Sequence, residues 1–272
     1  MPFKPVFPDS KRVKSEDKLV DADLENVDLK NHLFVRLVAK QRRFTSADFR
    51  YCIFDTCYLR KCVFDSCDFT GCRFVGSILY GSTFTGCRFD YALFERTVVD
   101  NDLLETGCPG TENLKMRFAR SLRMNYQQLG DSKSANKAVK VELEATEVYL
   151  NKAWSSNESY YRHKYAGWKR IEIFGEWVGF KILDWVWGNG ESAWKLLRAV
   201  GVALLIMWGF GLLFGDHERF GFFGTLIQTP ATFLGTVERP NYPQWYLVNV
   251  LVARLVAFGL FMSIVIKRFN RR

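Results

Sequence analysis

Six of the seven cysteines fall in one phase of a five-residue period: Cys52, Cys57, Cys62, Cys67, Cys72 and Cys87, with Cys108 outside it. Thiols in this number could form disulfides or hold a metal. The chain offers no CxxC pair, and its histidines, His32, His163 and His217, are scattered. Free cysteine behaves as a small hydrophobe and is often buried. The cysteines therefore read as packed, reduced thiols, which points to the cytosol. The other residue type with chemistry to offer is an ionisable group inside an apolar run. Arg254 stands in such a run, with Asn249 nearby. A charge within a membrane span is costly, so it marks a functional site by default.

What positions the cysteines is a second row. Every fifth residue from Phe44 to Phe94 is Phe or Leu: Phe44, Phe49, Phe54, Leu59, Phe64, Phe69, Phe74, Leu79, Phe84, Phe89 and Phe94. Two residues ahead of each from Phe49 on lies a small one: Ala47, Cys52, Cys57, Cys62, Cys67, Cys72, Ser77, Ser82, Cys87 and Ala92. A period of five fits neither a helix nor a strand. It demands a repeat in which stacked coils bury one large and one small column. The large phase extends back through Leu19, Leu24, Leu29 and Phe34, with Ala22 and Val27 in the small row, and forward to Val99 and Leu104, with Thr97 in the small row. Ala39 and Arg42 break it.

Residues 44–104 resemble the pentapeptide-repeat proteins, with SADFRYCIFDTCYLRKCVFDSCDF as the most specific stretch. The resemblance implies a right-handed quadrilateral β-helix with four repeats per coil. Cys52 would then stack on Cys72, and Cys67 on Cys87, at about 4.8 Å, the strand spacing.

Two apolar stretches follow near the C-terminus. Residues 199–215 carry no charge, and with Leu196 they reach roughly 30 Å at about 1.5 Å per residue. Trp194 and Lys195 stand where an interfacial aromatic and a snorkelling cation belong. The second stretch, 245–266, is followed by Lys267, Arg268, Arg271 and Arg272. No signal peptide is visible in residues 1–18, which are charged and Pro-rich. Lys195 and Arg198 precede the first span and four cations follow the second, so the positive-inside rule puts both termini in the cytoplasm. Residues 1–110 hold 16 Lys+Arg and 16 Asp+Glu, whereas residues 111–272 hold 22 and 13, hence all of the net +9. A basic excess beside spans points to anionic lipid head groups. No nucleic-acid motif accompanies it, and no nucleic-acid partner is expected.

Between coil and spans, Leu114, Phe118, Leu122, Tyr126 and Leu129 form one helical stripe. Val139, Leu143, Thr146, Leu150 and Trp154 form another, with Gly130 and Asp131 as the turn. Such a hairpin caps the open end of the solenoid or offers a groove to a cytosolic protein partner. Residues 160–187 interleave aromatics such as Tyr165, Trp168, Trp177 and Trp185 with Lys164, Lys169, Arg170 and Lys181, as in a helix lying in the membrane interface.

The segment WVWGNGESAWKLLR followed by a span also resembles bacterial proteins that join pentapeptide repeats to a two-helix ion-channel pore domain. The resemblance implies a span, a short pore helix, a filter loop and a second span, assembled as a tetramer. Thr232, Phe233, Leu234, Gly235, Thr236, Val237 and Glu238 align with the filter pattern Thr-Thr-Val-Gly-Tyr-Gly-Asp. Gly235 and Glu238 fit; Thr236 replaces Tyr and Val237 replaces the second Gly. A potassium filter aims backbone carbonyls at the ion, a geometry that exploits Gly and suits β-branched Val poorly. Pro230 is expected to disturb the pore helix. Potassium selectivity is therefore not expected, and Arg254 in a pore would favour anions. Arg254 could instead pair with Glu238 or Glu218 of another subunit, or snorkel near a boundary.

No Walker loop, GxGxxG or HExxH motif occurs, and GNGES at 188–192 reads as a turn, so neither enzyme activity nor a cofactor or metal site is expected. Some soluble relatives mimic DNA, which needs a strongly negative surface; the repeat half is neutral. The expected plan is a flexible segment 1–18, a β-solenoid at 19–108, a helical hairpin at 109–156 and an amphipathic interfacial helix at 157–192. Spans at 193–216 and 245–267 then flank a pore-loop-like connection at 217–244, ahead of a basic tail at 268–272. The expected function is an oligomeric ion-conducting or membrane-permeabilising protein of the bacterial inner membrane, with the repeats as cytosolic sensor or platform. The alternative is a non-conducting, membrane-tethered scaffold.

Overall fold

The computed structural model describes residues 12–213, 216–236 and 242–269. It divides into two compact units, 1–164 and 165–272. The first is a parallel β-solenoid of about four turns with a helical cap. β1 (Val13–Glu16), β4 (His32–Val35), β7 (Ile53–Asp55), β10 (Arg73–Val75) and β12 (Leu93–Glu95) build one face in that order. A second face is β2 (Leu19–Val20), β5 (Val38–Lys40) and β8 (Tyr58–Arg60), continued by single bridges from Tyr58 to Ile78 and on to Val98. A third is β3 (Leu24–Glu25), β6 (Arg43–Thr45), β9 (Val63–Asp65) and β11 (Thr83–Thr85). Bridges linking Asp28, Asp48, Asp68 and Arg88 make the fourth.

The five-residue period has a backbone cause. From Asn26 to Arg96 every fifth residue has positive φ, between 47° and 73°. Each of these left-handed residues turns a corner, and four corners close a coil of twenty residues, as the pairing Phe34↔Phe54↔Phe74↔Phe94 shows. The large row then stacks into columns. Phe54, Phe74 and Phe94 follow one another at 4.9 Å between ring centroids, Phe44, Phe64 and Phe84 at 4.9 and 5.0 Å, and Phe49, Phe69 and Phe89 at 5.1 and 5.0 Å. Rings of different columns meet edge-on, the complementary aromatic geometry. The fourth column is aliphatic: Ala39, Leu59, Leu79 and Val99, all buried.

The small row works as a hydrogen-bond ladder. The thiols of Cys52, Cys57, Cys62, Cys67, Cys72 and Cys87 each donate to the carbonyl 23 residues earlier, at 2.8 to 3.5 Å. Ser77 and Ser82 do the same, to Phe54 and Leu59 at 3.0 and 2.6 Å. A short side chain with a donor fills this position and satisfies a buried carbonyl, whereas Ala47 and Ala92 fill it without that bond. Burial pushes the Cys57 thiol up to about 11, and raises those of Cys62 and Cys108 as well.

Three details differ from the sequence reading. The coil begins at Val13, so residues 13–18 belong to it instead of a flexible segment. Leu19 points outward at 70% exposure, and Val20 packs against the core in its place. The reason is a corner one residue short: Val20 pairs with Ala39, but Leu24 pairs with Phe44. Ala22 is exposed for the same reason. Leu104 leaves the coil for the short helix α1 (Leu103–Thr106), where it is still buried.

The last coil does not end on bare strands. α2 (Glu112–Gln128) lies across β12 and supplies side chains where a further coil would supply backbone. The Phe94 N–H donates to Ser121 Oγ at 2.9 Å. The Thr97 N–H donates to Asn125 Oδ1 at 2.7 Å, and Asn125 Nδ2 donates to the Thr97 carbonyl at 2.8 Å. The Arg96 N–H donates to Gln128 Oε1 at 3.0 Å. This satisfies an edge that would otherwise template pairing. α3 (Ser132–Ser155) packs on α2 through Ala135, Ala138, Ala145, Leu150 and Ala153. Of the expected stripe Leu150 is among them, and the others are alanines, which let two helices approach closely. α4 (Ser159–Lys164) ends the unit.

Candidate functional site

The second unit contains α5 (Trp168–Trp187), α6 (Ala193–Leu213), α7 (Asp216–Leu234) and α8 (Gln244–Phe269). The expected single helix over 157–192 is thus two, α4 and α5, separated at Gly167, whose φ of 60° a helix cannot continue through. α5 exposes Trp168, Ile171, Phe174, Ile182 and Trp185, an apolar surface of the kind an interfacial helix buries in lipid. Gly188, at φ 65°, ends it: its N–H donates to the Asp184 carbonyl, and that of Asn189 to Leu183.

α6 and α8 are long and apolar enough to cross a membrane, with mean hydropathies of 2.1 and 2.2. Lys195 Nζ reaches both Asp184 oxygens at 2.8 Å. Arg198 donates to the Trp185 carbonyl at 2.7 Å and lies 5.3 Å from that indole ring. Lys267, near the end of α8, pairs with Glu191, just ahead of α6. The two helices therefore run antiparallel, with Lys195, Arg198 and Lys267 at one end. At the other end Phe210 stacks on Tyr246 at 3.9 Å, and Tyr242 meets both edge-on. Met207 and Phe233 complete that cluster.

α7 fills the connection that the sequence marks as pore-loop-like. Its break falls at Gly221 (φ 71°, ψ 169°) and not at Pro230, which the helix accommodates. Thr225, Thr229 and Thr232 share its buried side. Their hydroxyls donate to the carbonyls of Gly221, Thr225 and Gln228 at 2.9, 2.8 and 3.1 Å. Thr232 of the filter-like set is thus a helix residue, packed inward.

Gly235 and Thr236 close the helix. With Gly235 at φ 77°, its N–H donates to the Thr232 carbonyl and that of Thr236 to Ala231. Arg254 Nη1 donates to the Leu234 carbonyl at 2.7 Å. A Cβ on Gly235 would fall inside the van der Waals radius of that same Nη1. So the mid-span cation sits on the C-terminal end of α7, the negative end of the helix dipole. Gly235 has two reasons to be glycine: its dihedral, and the close approach of Arg254. Asn249 donates to the Trp245 carbonyl of its own helix at 2.8 Å. Val237 and Glu238 lie outside the described residues, as does the proposed pairing of Arg254 with Glu238. Sequence reasoning missed the break at Gly221 and the threonine side of α7. The spacing of Thr225, Thr229 and Thr232 was the available signal.

Comparison with known proteins bears on the first unit. Residues 43–103 match the family of pentapeptide repeats, in nine copies. No curated protein matches the chain. Among solved structures, a trypsin-treated variant of QnrB1, described as a plasmid-mediated fluoroquinolone resistance protein, is 20% identical, with a TM-score of 0.17. The match covers 32% of this chain and 52% of that one, so the chain spans about half its length. A pentapeptide repeat protein, Rfr23, from the cyanobacterium Cyanothece 51142, is 14% identical over 33% of this chain and 84% of that one, with a TM-score of 0.14. The chain thus carries a pentapeptide-repeat β-solenoid followed by helices, two of them long and apolar enough to cross a membrane.

Proposed function

We propose that the C-terminal unit assembles as a ring of subunits in the cytoplasmic membrane and passes ions, with the repeats as a cytoplasmic platform. One observation carries the reading: Arg254, midway along the second candidate span, holds the end of a short helix that lies between the two spans. A broken helix ending near the middle of a span is the arrangement by which membrane proteins present a helix terminus to an ion path. Two spans enclose nothing alone, so the path requires several copies. Arg254 neutralises the helix end that would attract a cation, and its remaining N–H donors suit an anion. The pore therefore favours anions.

The alternative is a non-conducting anchor. It is favoured by Thr236 and Val237, which stand where a carbonyl filter uses Tyr and Gly. Purified protein in liposomes separates the two. Anion flux from particles of several subunits, lost in Arg254→Gln, supports the pore. Sealed vesicles with inserted protein, and still sealed after addition of cell extract, overturn it in favour of the anchor.

A further inference from the structure

Four faces of the solenoid point outward, and one is unlike the rest. On the second face the outward residues ahead of the core column form the ladder Leu19, Val38, Tyr58, Ile78 and Val98. No charge interrupts it. Leu19 is 70% exposed, and Val38, Ile78 and Val98 are 37–38% exposed. The corresponding ladder on the first face is broken by Lys14 and Arg73, and that on the fourth is Asp28, Asp48, Asp68 and Arg88. An outward ladder on a solvated sheet ordinarily alternates to polar residues. Five uncharged rungs span about 19 Å at strand spacing. Such a stripe marks a docking surface.

The flanking ladder on the same face says what docks. It reads Asp21, Lys40, Arg60, Tyr80 and Asp100. Lys40 is exposed and has no ion-pair partner among the described residues. The Arg60 guanidinium lies 5.6 Å over the Tyr80 ring. Asp100 accepts the Gly81 N–H through Oδ2 at 2.6 Å and keeps Oδ1. From Lys40 to Asp100 charge runs from positive to negative, so these four rungs are complementary to their own reverse, and Leu19 and Asp21 lie one rung beyond them.

We infer that this face pairs with the same face of a second copy, antiparallel, about a two-fold axis along the strands. That operation keeps each ladder opposite itself and reverses its order. Val38 meets the second copy's Val98 and Tyr58 meets its Ile78. Lys40 meets its Asp100, and Arg60 meets its Tyr80, for which a cation over an aromatic face is favourable. A strip this narrow buries less than the roughly 800 Å² per partner of a standard interface. It is a weak contact in free solution. Anchoring both copies in one membrane, which rests on the reading above, supplies effective concentrations on the order of millimolar and makes it effective.

The test uses full-length protein in native membranes. Chains carrying Val38→Cys and chains carrying Val98→Cys, with different tags, are expressed alone and together and mildly oxidised. Five native cysteines are buried, and the half-buried Cys87 and Cys108 are changed to Ser in every chain so that they do not compete. The expected result is a disulfide dimer holding both tags in the mixture, and little dimer from either variant alone. Ile78→Glu in both chains lowers that dimer at least tenfold, with liposome ion flux unchanged. Homotypic Val38→Cys dimers, or no mixed dimer at equal membrane insertion, overturn the inference. Vesicles that stay sealed with the unmodified protein while the mixed dimer forms defeat the pore reading and leave this contact standing.

Discussion

If α2 replaces a missing coil, removing its replacement hydrogen bonds unravels the solenoid from that end. Asn125 is the sharpest probe, being fully buried and bonded twice to Thr97. Asn125→Leu keeps the same branched heavy-atom skeleton but leaves the Thr97 N–H and carbonyl without partners. A buried unsatisfied polar group costs about 1–3 kcal/mol, so the pair costs about 2–6 kcal/mol. At about 1.4 kcal/mol per tenfold, amide exchange around Thr97 should rise roughly 30-fold to 10⁴-fold. Hydrogen–deuterium exchange with mass spectrometry on peptides covering 93–100 of the full-length protein reads this directly. It avoids a global unfolding curve, which two units make hard to interpret. Gln128→Ala is the control. Its bond to the Arg96 N–H is exposed, so water replaces it and exchange there should change less than about threefold. Equal exchange in Asn125→Leu and the unmodified protein would refute the cap as a stand-in for a coil.

The remaining predictions are shorter. Phe69→Ala removes a fully buried ring stacked on both Phe49 and Phe89, and should cost the solenoid about 3–5 kcal/mol, seen as a lower thermal midpoint of its β-signal. Gly235→Ala should destabilise the membrane unit in detergent by about 1–3 kcal/mol, and by clearly less in an Arg254→Ala background; additive effects would mean that the two do not touch. Lys152 holds the Glu112 carboxyl below its ordinary value near 4.5, and Ser134 holds that of Asp131 below 3.8. For lowered carboxyls the stabilisation is present above those ordinary values and is lost as pH falls through the folded ones. The α2–α3 hairpin should therefore become more pepsin-sensitive as pH drops below about 4.5, and less so in Glu112→Gln, which has lost that dependence.

The solenoid was legible because its period is local. A left-handed residue every five positions needs only its own coil, and the Phe and Cys rows repeat in step with it. The failure at Leu19 and Ala22 came from a corner one residue short, which a fixed period cannot register. The role of the cysteines was only half legible. Their burial followed from the period, but their bonds reach carbonyls 23 residues away, across coils. The spans were legible from apolar length, and Arg254 was marked by its cost in that setting. Its partner was not, because the Leu234 carbonyl lies twenty residues back and faces it only once α7 and α8 have packed. The break of α7 falls at Gly221, where the backbone takes a positive φ that glycine adopts readily, and not at Pro230.

By itself, then, the sequence determined what depends on neighbours along the chain: the coil, its aromatic columns, the helical cap region and the two apolar runs. Tertiary structure alone decided what depends on contacts across it. Asn125 meets Thr97 across the end of the coil, Arg254 meets the end of α7, and a ladder of five distant residues becomes one apolar stripe. Periodicity fixes which way a side chain points, whereas only the folded chain brings a donor to its acceptor.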